Sequence, residues 1–217
     1  MLKTFIKEFT YQTTTFFASP IPKDKAGASQ IVENLRGVIG GMIDIKNISL
    51  LARDDLFDYR LLVPIFGGAG QIIVDAYSVT STLPKGVTKQ NLDLVVDCFE
   101  NVFKSAVVNP RAQNKITFMA HCIFASASDY SEHMKPFIDS ECKITSGGRV
   151  LIAEGLKFAG IARISTEKSD PFENAIFICS NCLTNEPIER DLVARMSARS
   201  SELLAKLDLE VTFDPVP

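Results

Sequence analysis

The sequence contains no tryptophan, only two histidines and no excess of positive charge. Its 217 residues carry 23 Lys and Arg side chains against 26 Asp and Glu side chains, which gives a formal net charge of −3. Nonspecific binding to nucleic acid depends on clustered Lys and Arg side chains that displace counterions from the phosphates. The charge balance therefore argues against a broad nucleic-acid-binding face, and we expect no nucleic-acid partner.

Long apolar runs are also missing. No stretch approaches the length of a membrane-spanning helix, and residues 1–12 lack the apolar run of a secretory signal. The five cysteines are odd in number and unevenly spaced, which favours reduced thiols over a disulfide framework. With 46% hydrophobic and 23% charged residues, the composition is typical of a globular protein. These features predict a cytoplasmic protein with no membrane association.

The clearest local pattern covers residues 88–107. Thr88 is placed to cap a helix, and Val87 and Leu92 have the spacing of a hydrophobic staple. Apolar side chains then recur every three or four residues, which puts them on one face of that helix. They are Leu92, Val95, Val96, Phe99, Val102, Phe103 and Val107. Such a face must be buried, and the flanking sequence offers strands as its partner.

The remaining elements complete an α+β pattern. Residues 2–18 alternate, which predicts a long strand with Phe5, Phe9, Tyr11 and Phe17 on one buried face. Helices are predicted at 31–39 and 186–207, and a short one follows residue 127. Residues 115–127 are apolar on both alternating faces, which predicts an interior strand covered on both sides. The other predicted strands are 43–51, 59–66, 71–81, 149–153, 156–165, 174–182 and 209–213.

The predicted elements occur twice in the order strand, helix, three strands, helix. This order suggests two similar β-α-β-β-β-α halves, 1–110 and 111–217, within one α+β domain spanning 1–217. Their strands would form one mostly antiparallel sheet with helices packed on one side. The order is similar to that of TATA-binding-type and other two-fold α/β folds. A TATA-binding protein also needs a basic concave face, which this acidic chain supplies poorly.

The pair Cys179 and Cys182 forms a C-x-x-C motif, which occurs in zinc sites and in redox dithiols. Structural zinc requires further ligands, and Cys142 and His133 could supply them only by folding together. A redox pair of the thioredoxin type sits at the start of a helix, whereas here a strand runs into the cysteines. The alternative is two buried cysteines that end a strand. The sequence therefore leaves a redox or metal role as a hypothesis.

A second candidate site surrounds His133. Asp129, Tyr130, Glu132 and Lys135 lie close to this histidine in the sequence. In an enzyme, His133 would act as the general base, Glu132 or Asp129 would orient its ring, and Tyr130 would donate a proton. This hypothesis predicts a pocket lined by these side chains. The alternative is a solvated surface turn of mixed charge.

Two other patterns indicate structure and not chemistry. The glycine-rich segment 67–70 precedes a predicted strand, whereas a phosphate-binding loop precedes a helix, so it predicts a hairpin or bulge. His121 lies in an apolar strand between Met119 and Ile123, where a buried histidine with one hydrogen bond is expected.

The sequence contains no assembled catalytic motif and no cofactor motif, so we expect no cofactor and no resident metal. It favours a non-catalytic binding or protein-interaction module, which binds a protein partner or holds an apolar small molecule between helices and sheet. Homodimerisation through a sheet edge or a helix face would suit such a protein. The competing hypotheses are the His133-centred enzyme and the redox or metal role of Cys179 and Cys182.

Overall fold

The computed structural model describes residues 1–23, 28–43, 45–83, 89–103, 110–137, 148–154 and 160–211. Its elements form a mixed α+β fold in which a mostly antiparallel sheet dominates, as predicted. The described strands are β1 (Leu2–Phe17), β2 (Ser49–Ala52), β3 (Tyr59–Ile65), β4 (Gly70–Asp75), β5 (Ser78–Leu83), β6 (Pro110–Phe124), β7 (Gly148–Glu154), β8 (Gly160–Lys168), β9 (Ala175–Thr184) and β10 (Leu209–Glu210). The described helices are α1 (Ala28–Ile39), α2 (Lys89–Phe103), α3 (Ala127–Met134) and α4 (Arg190–Ala205).

Nine of the ten described strands follow one another across the sheet in the order β2-β3-β4-β5-β1-β6-β9-β8-β7, and β10 pairs with β1 beside this path. Strands β1 and β6 are antiparallel neighbours at its centre, with Tyr11 opposite Phe118. The short β10 pairs in parallel with the start of β1, and the terminal ammonium of Met1 lies 3.1 Å from the Asp208 carboxylate. The two longest strands therefore hold the two sides of the sheet together.

The structure has four strands between α1 and α2, where the sequence predicts three. The predicted strand 71–81 is divided into β4 and β5 by a tight turn at Asp75. One carboxylate oxygen of Asp75 accepts hydrogen bonds from the backbone NH groups of Tyr77 and Ser78, at 2.8 and 2.7 Å. Aspartate stabilises turns in this way because its side chain replaces a backbone acceptor. The sequence conceals this turn because residues 71–81 contain neither glycine nor proline.

The glycine-rich segment 67–70 forms a hairpin turn, which confirms the prediction. Strands β3 and β4 pair antiparallel on either side of it, with Ile65 opposite Gly70. Gly67 and Gly68 have φ angles of 64° and 89°, a region of backbone conformation that favours glycine. A strand follows the turn, so the segment lacks the helix N-terminus that a phosphate-binding loop requires.

The two faces of the sheet differ in burial. Side chains on one face are buried, as in β3, where Tyr59, Leu61, Val63 and Ile65 alternate with exposed or half-buried residues. We call this the inner face, since its residues form one apolar cluster with side chains from all four described helices. The helical members include Leu35 of α1, Leu92, Val95 and Val96 of α2, Met134 of α3, and Leu192, Met196, Leu203 and Leu204 of α4. The predicted cap Thr88 and staple residue Val87 lie outside the described residues.

The opposite face, which we call the open face, carries mostly half-buried and exposed side chains. In β6 these include Met119, His121 and Ile123, which alternate with buried residues. The prediction that both faces of this strand are covered is therefore wrong. A strand with apolar residues on both faces has the same sequence pattern whether other elements cover one of its faces or both.

A bulge in β1 moves Phe5 to the open face. The pairing of β1 with β6 shifts register between Ile6 and Glu8, so the alternation of side chains restarts after Lys7. Phe5 therefore lies opposite Ile123 on the open face and is 62% exposed. The prediction that Phe5 shares the face of Tyr11 and Phe17 is wrong for this reason.

Candidate functional site

A stripe of hydroxyl and amide side chains crosses the centre of the open face. On β1, Thr14 is hydrogen-bonded to Thr80 at 3.0 Å, and Gln12 donates from Nε2 to Thr82 at 3.3 Å. On the other side, Thr117 of β6 donates to Asn181 Oδ1 of β9 at 2.8 Å. We call these six residues the polar stripe: Gln12, Thr14, Thr80, Thr82, Thr117 and Asn181. Mutual hydrogen bonds fix their orientation, which presents an ordered polar surface.

An aromatic cluster lies beside the polar stripe and is built around His121. Nδ1 of His121 is hydrogen-bonded to Ser169 Oγ at 2.9 Å. The rings of Phe177 and Phe172 lie 4.9 and 5.4 Å from the imidazole ring, within the range of favourable aromatic contacts. Glu8 of β1 lies directly opposite His121 in the strand pairing. We call His121, Ser169, Phe172 and Phe177 the histidine-aromatic cluster.

This cluster is suited to positioning a ring and not to nucleophilic chemistry. Ser169 is buried, at 1% exposed, so its hydroxyl is shielded from a substrate on the open face. Its backbone NH is bonded to the carbonyl of Ala175, which holds the residue against β9. His121 makes the one hydrogen bond that the sequence predicts, but it lies on the open face and not between the sheet and the helices.

The second histidine, His133, lies in an aromatic setting under the inner face. It is 5% exposed, and its ring lies 5.3 Å from that of Phe124 and 6.1 Å from that of Phe137. Tyr130, one turn earlier in α3, also contacts Phe124, at 5.8 Å. Glu132 is exposed and does not share their face of the helix. The structure thus brings Tyr130 and His133 together and leaves Glu132 apart, so a solvated turn is not what forms here.

Helix α3 begins at a local signal that the sequence contains. The Ser126 hydroxyl accepts a hydrogen bond from the backbone NH of Asp129 at 3.1 Å, which caps the helix. Asp129 therefore sits in the first turn, where a carboxylate is favourable. The contacts described for the His133 ring are with Phe124 and Phe137 and do not include the Asp129 carboxylate. The proposed orienting role of Asp129 or Glu132 therefore stays a prediction.

Burial lowers the pKa of His133, and the nearby Arg149 guanidinium lowers it further, while Asp208 opposes the change. The imidazole is therefore held in its neutral form near neutral pH. A neutral ring is the form that a general base needs, but an apolar ring stack provides no place for a polar substrate. The acid/base hypothesis for His133, Tyr130 and Glu132 stays a prediction.

Cys179 and Cys182 lie on opposite faces of the sheet. Cys182 is wholly buried on the inner face, and burial raises the pKa of its thiol to about 12. Cys179 is half-buried on the open face, where Asn181 donates a hydrogen bond to its sulfur at 3.1 Å. Burial raises the pKa of Cys179 too, although Asn181, Lys115 and Arg163 counter the effect. Residues three apart in a strand point in opposite directions, so β9 gives the dithiol or metal hypothesis no support, and it stays a prediction.

Among the described residues, no three His, Cys, Asp or Glu side chains come together in a group that could hold a metal ion. Three shallow grooves are formed by described residues. One of about 550 Å³ lies beside the β3–β4 turn and includes Pro64, Gln71 and Thr82. Two of about 520 Å³ follow the β8 side and the β2–β3 end of the sheet. All three therefore lie at turns and edges, and none of them lies between the helices and the sheet.

Comparison with known proteins gives no match to any protein-family model and none to any curated protein. No helix in the described ranges has the length and apolar character needed to cross a membrane. The interpretation of the site therefore depends on its geometry.

Sequence reasoning missed the histidine-aromatic cluster. Ser169 is 48 residues from His121 in the sequence, and Phe172 lies in the same loop. The available signal was the alternation of Met119, His121 and Ile123, which shows that they share a face. It does not show that the face is open.

Proposed function

We propose that this chain is a non-catalytic binding protein that holds a protein partner on the open face of its sheet. The observation that carries this proposal is the ordered surface formed by the polar stripe and the histidine-aromatic cluster. Protein interfaces combine aromatic side chains at their centre with hydrogen-bonding groups around them. Phe177 and Phe172 would supply the aromatic contacts, and the half-buried Gln12, Thr14 and Asn181 would supply the polar ones.

Charge on the open face suits a protein partner better than a nucleic acid. Lys115 and Arg163 lie on this face, and so do the acidic residues Glu8 and Glu167. The two signs are interspersed, whereas phosphate binding requires clustered positive charge. A protein surface with a mixed pattern of its own could match this arrangement.

We further propose that the chain consists of two similar halves within one domain spanning 1–217. The strand order supports this, because β5, β4 and β3 follow β1 on one side as β9, β8 and β7 follow β6 on the other. Strand β2 is then an addition to the first half. We also infer a cytoplasmic setting, which the free thiols of Cys122, Cys179 and Cys182 support.

A second candidate function, small-molecule binding, rests on one buried group. Tyr11 is wholly buried on the inner face, and its hydroxyl has no hydrogen-bond partner among the residues that the structure describes. Buried hydroxyl groups are nearly always paired, so a bound molecule or water would satisfy it. Native mass spectrometry of freshly purified protein tests this candidate. A retained organic mass that is lost in Tyr11→Phe would support it, and a bare chain would count against it.

The open-face proposal is tested by site-specific photo-cross-linking. A photoreactive residue replaces Leu183, which is 38% exposed on the open face, and in a control it replaces the exposed Ala198 of α4. We expect a single partner to cross-link at position 183 and not at position 198. Cross-linking at both positions, or at neither, would contradict the proposal.

The partner identified in this way is then purified and its affinity measured by calorimetry. Phe177→Ala should weaken binding about tenfold or more, since central aromatic residues contribute most of the binding energy. His133→Gln should leave the affinity unchanged, because His133 lies under the opposite face. If His133→Gln abolishes binding while Phe177→Ala does not, the site has been misplaced.

A further inference from the structure

Strand β7 is the last strand at its end of the sheet within the described residues. Its seven residues alternate without a proline or a bulge, and all of them pair with β8 on one side. In an antiparallel sheet, about half of the backbone NH and carbonyl groups of such a strand point away from its one neighbour. A long edge of this kind is a template for pairing with another strand.

The side chains of β7 are incompletely buried on both faces. On the open face, Val150 is 51% exposed and Ile152 is 65% exposed. On the inner face, Arg149, Leu151 and Ala153 are only half-buried, whereas the inner-face residues of β3 are all buried. Two further exposed aliphatic residues of the open face, Ile161 and Leu183, lie opposite each other on β8 and β9.

We propose that a second copy of this chain pairs antiparallel with β7, edge to edge, with Leu151 opposite Leu151 of the partner. A two-fold axis perpendicular to the sheet then passes through this position. In this register Val150 faces Ile152 of the partner subunit, and the same contact occurs again on the other side of the axis. Four exposed aliphatic side chains are buried together on one face, which favours association.

Charge and size also match a second copy. The two charged residues of β7 are Arg149 and Glu154. In the proposed register Arg149 faces Ala153 and Glu154 faces Gly148, so no like charges are opposed and each long side chain meets a small one. The half-buried Leu151 packs against Leu151 of the partner subunit in this register. A strand of different sequence would have to reproduce each of these matches.

The dimer continues the sheet from one chain into the other and keeps both open faces on the same side. It uses the edge of the sheet, whereas the proposed partner site uses the polar stripe and the histidine-aromatic cluster. The two proposals are therefore independent. Loss of the dimer need not change the affinity of one chain for its partner, and failure of the partner site would leave the dimer intact.

Sedimentation velocity on the purified full chain tests the dimer, with Ile152→Lys as the disrupting variant. The matched control is Leu51→Lys at the other end of the sheet, where the side chain is 59% exposed. At about 50 µM we expect a dimer for the natural sequence and for Leu51→Lys, and a monomer for Ile152→Lys. A monomeric natural chain would overturn the proposal, and so would a dimer that Ile152→Lys leaves intact or that Leu51→Lys also breaks.

Cysteine cross-linking tests the register, and it decides the question if Ile152→Lys fails to fold. Leu151→Cys places two thiols across the two-fold axis, at a separation that a disulfide can span. Ile152→Cys places them about 7–8 Å apart on diagonal positions, beyond disulfide reach. Mild oxidation should therefore give a covalent dimer with Leu151→Cys only. A covalent dimer with Ile152→Cys alone, or with neither variant, would overturn the register.

Discussion

The two ends of the sheet are built differently. At one end, β2 has four residues and is followed by a charged turn in which Arg53 and Asp58 form an ion pair at 3.4 Å. At the other end, β7 has seven residues, and its exposed side chains include Val150 and Ile152. Both ends expose aliphatic residues, since Leu50 and Leu51 of β2 are more than half exposed. The difference therefore lies in the length of the edge strand and in the charged turn beside β2, and not in the mere presence of apolar side chains.

This comparison shows how the edge of a sheet can be closed or left available. A short strand offers few unpaired backbone groups, and nearby charges disfavour burial against another chain. Strand β2 has both features, and behind it the inner face of β3 is fully buried. Strand β7 is longer, with seven residues, and its charged residues Arg149 and Glu154 lie near its two ends. Its inner-face side chains are half-buried, whereas all four side chains of β2 are exposed. The two ends therefore differ in how many unpaired backbone groups they offer to a second chain.

The largest expected effect is on the free energy of unfolding, when a buried side chain at one end of the sheet and a half-buried one at the other are each replaced by alanine. Ile65 of β3 is wholly buried, so Ile65→Ala should lower the free energy of unfolding by about 3 kcal/mol. Leu151→Ala in β7 should lower it by only about 1 kcal/mol at low protein concentration, because less surface is lost. Urea titration measures both values. If both variants lost the same free energy of unfolding, the proposed difference in burial between the two ends would be wrong.

Thiol labelling compares the two faces of β9, near the β7 end. The buried Cys182 thiol, with its pKa raised to about 12, should react with a maleimide about a hundredfold more slowly than Cys179. Peptide mapping by mass spectrometry follows each site in the native protein, and Cys182→Ser should leave the rate at Cys179 unchanged. A disulfide between the two cysteines after mild oxidation would instead favour the redox hypothesis.

Acid sensitivity should include a contribution from His133, which lies in the second half of the chain. Burial lowers the pKa of His133 in the folded state, so the unfolded state binds the proton more readily. Stability therefore falls as the pH drops below the ordinary histidine value of about 6.5, and it levels off below the folded-state pKa. His133→Phe should reduce this loss in urea titrations at pH 7 and pH 5. An unchanged pH dependence would mean that another group is responsible.

The smallest expected effect is the loss of stability when an ion pair between helices α2 and α4 is removed. Arg190 of α4 forms an ion pair with Asp97 of α2 at 2.6 Å, and both side chains are partly exposed. Exposed pairs contribute little, so Arg190→Ala should cost less than about 1 kcal/mol. Thermal unfolding in low and high salt measures this value. A loss as large as that of Ile65→Ala would mean that the helix layer holds the two ends together more firmly than the sheet.

Local patterns in the sequence predicted most of the elements. The apolar stripe of residues 88–107 predicted α2, and the alternation of residues 2–18 predicted β1, because periodicity reports directly on which side chains are buried. The reverse orientation of Phe5 could not be predicted in the same way. It depends on a bulge between two strands that are far apart in the sequence. The turn at Asp75 was equally hidden, because a single aspartate in a segment without glycine or proline does not identify a turn.

The candidate site was harder to predict than the fold. The sequence neighbours of His133 suggested a polar site, but one turn of helix directs Glu132 outward and His133 toward Phe124. The cysteine motif suggested a pair, but a strand directs Cys179 and Cys182 to opposite faces. The histidine-aromatic cluster requires the packing of a distant loop on β6, which no local pattern records. Chemistry inferred from sequence proximity is therefore least reliable where the secondary structure is itself uncertain.

The central pairing of β1 with β6 has a consequence for how the chain folds. Tyr11 and Phe118 face each other across this pair although roughly a hundred residues separate them in the sequence. The hairpins β3–β4 and β8–β9 connect residues that are much closer, so their loops cost less entropy to close. We expect these hairpins to form first and the β1–β6 pair to limit the folding rate. Until it closes, each half would present an unpaired strand edge, which makes slow folding and aggregation two outcomes of the same topology.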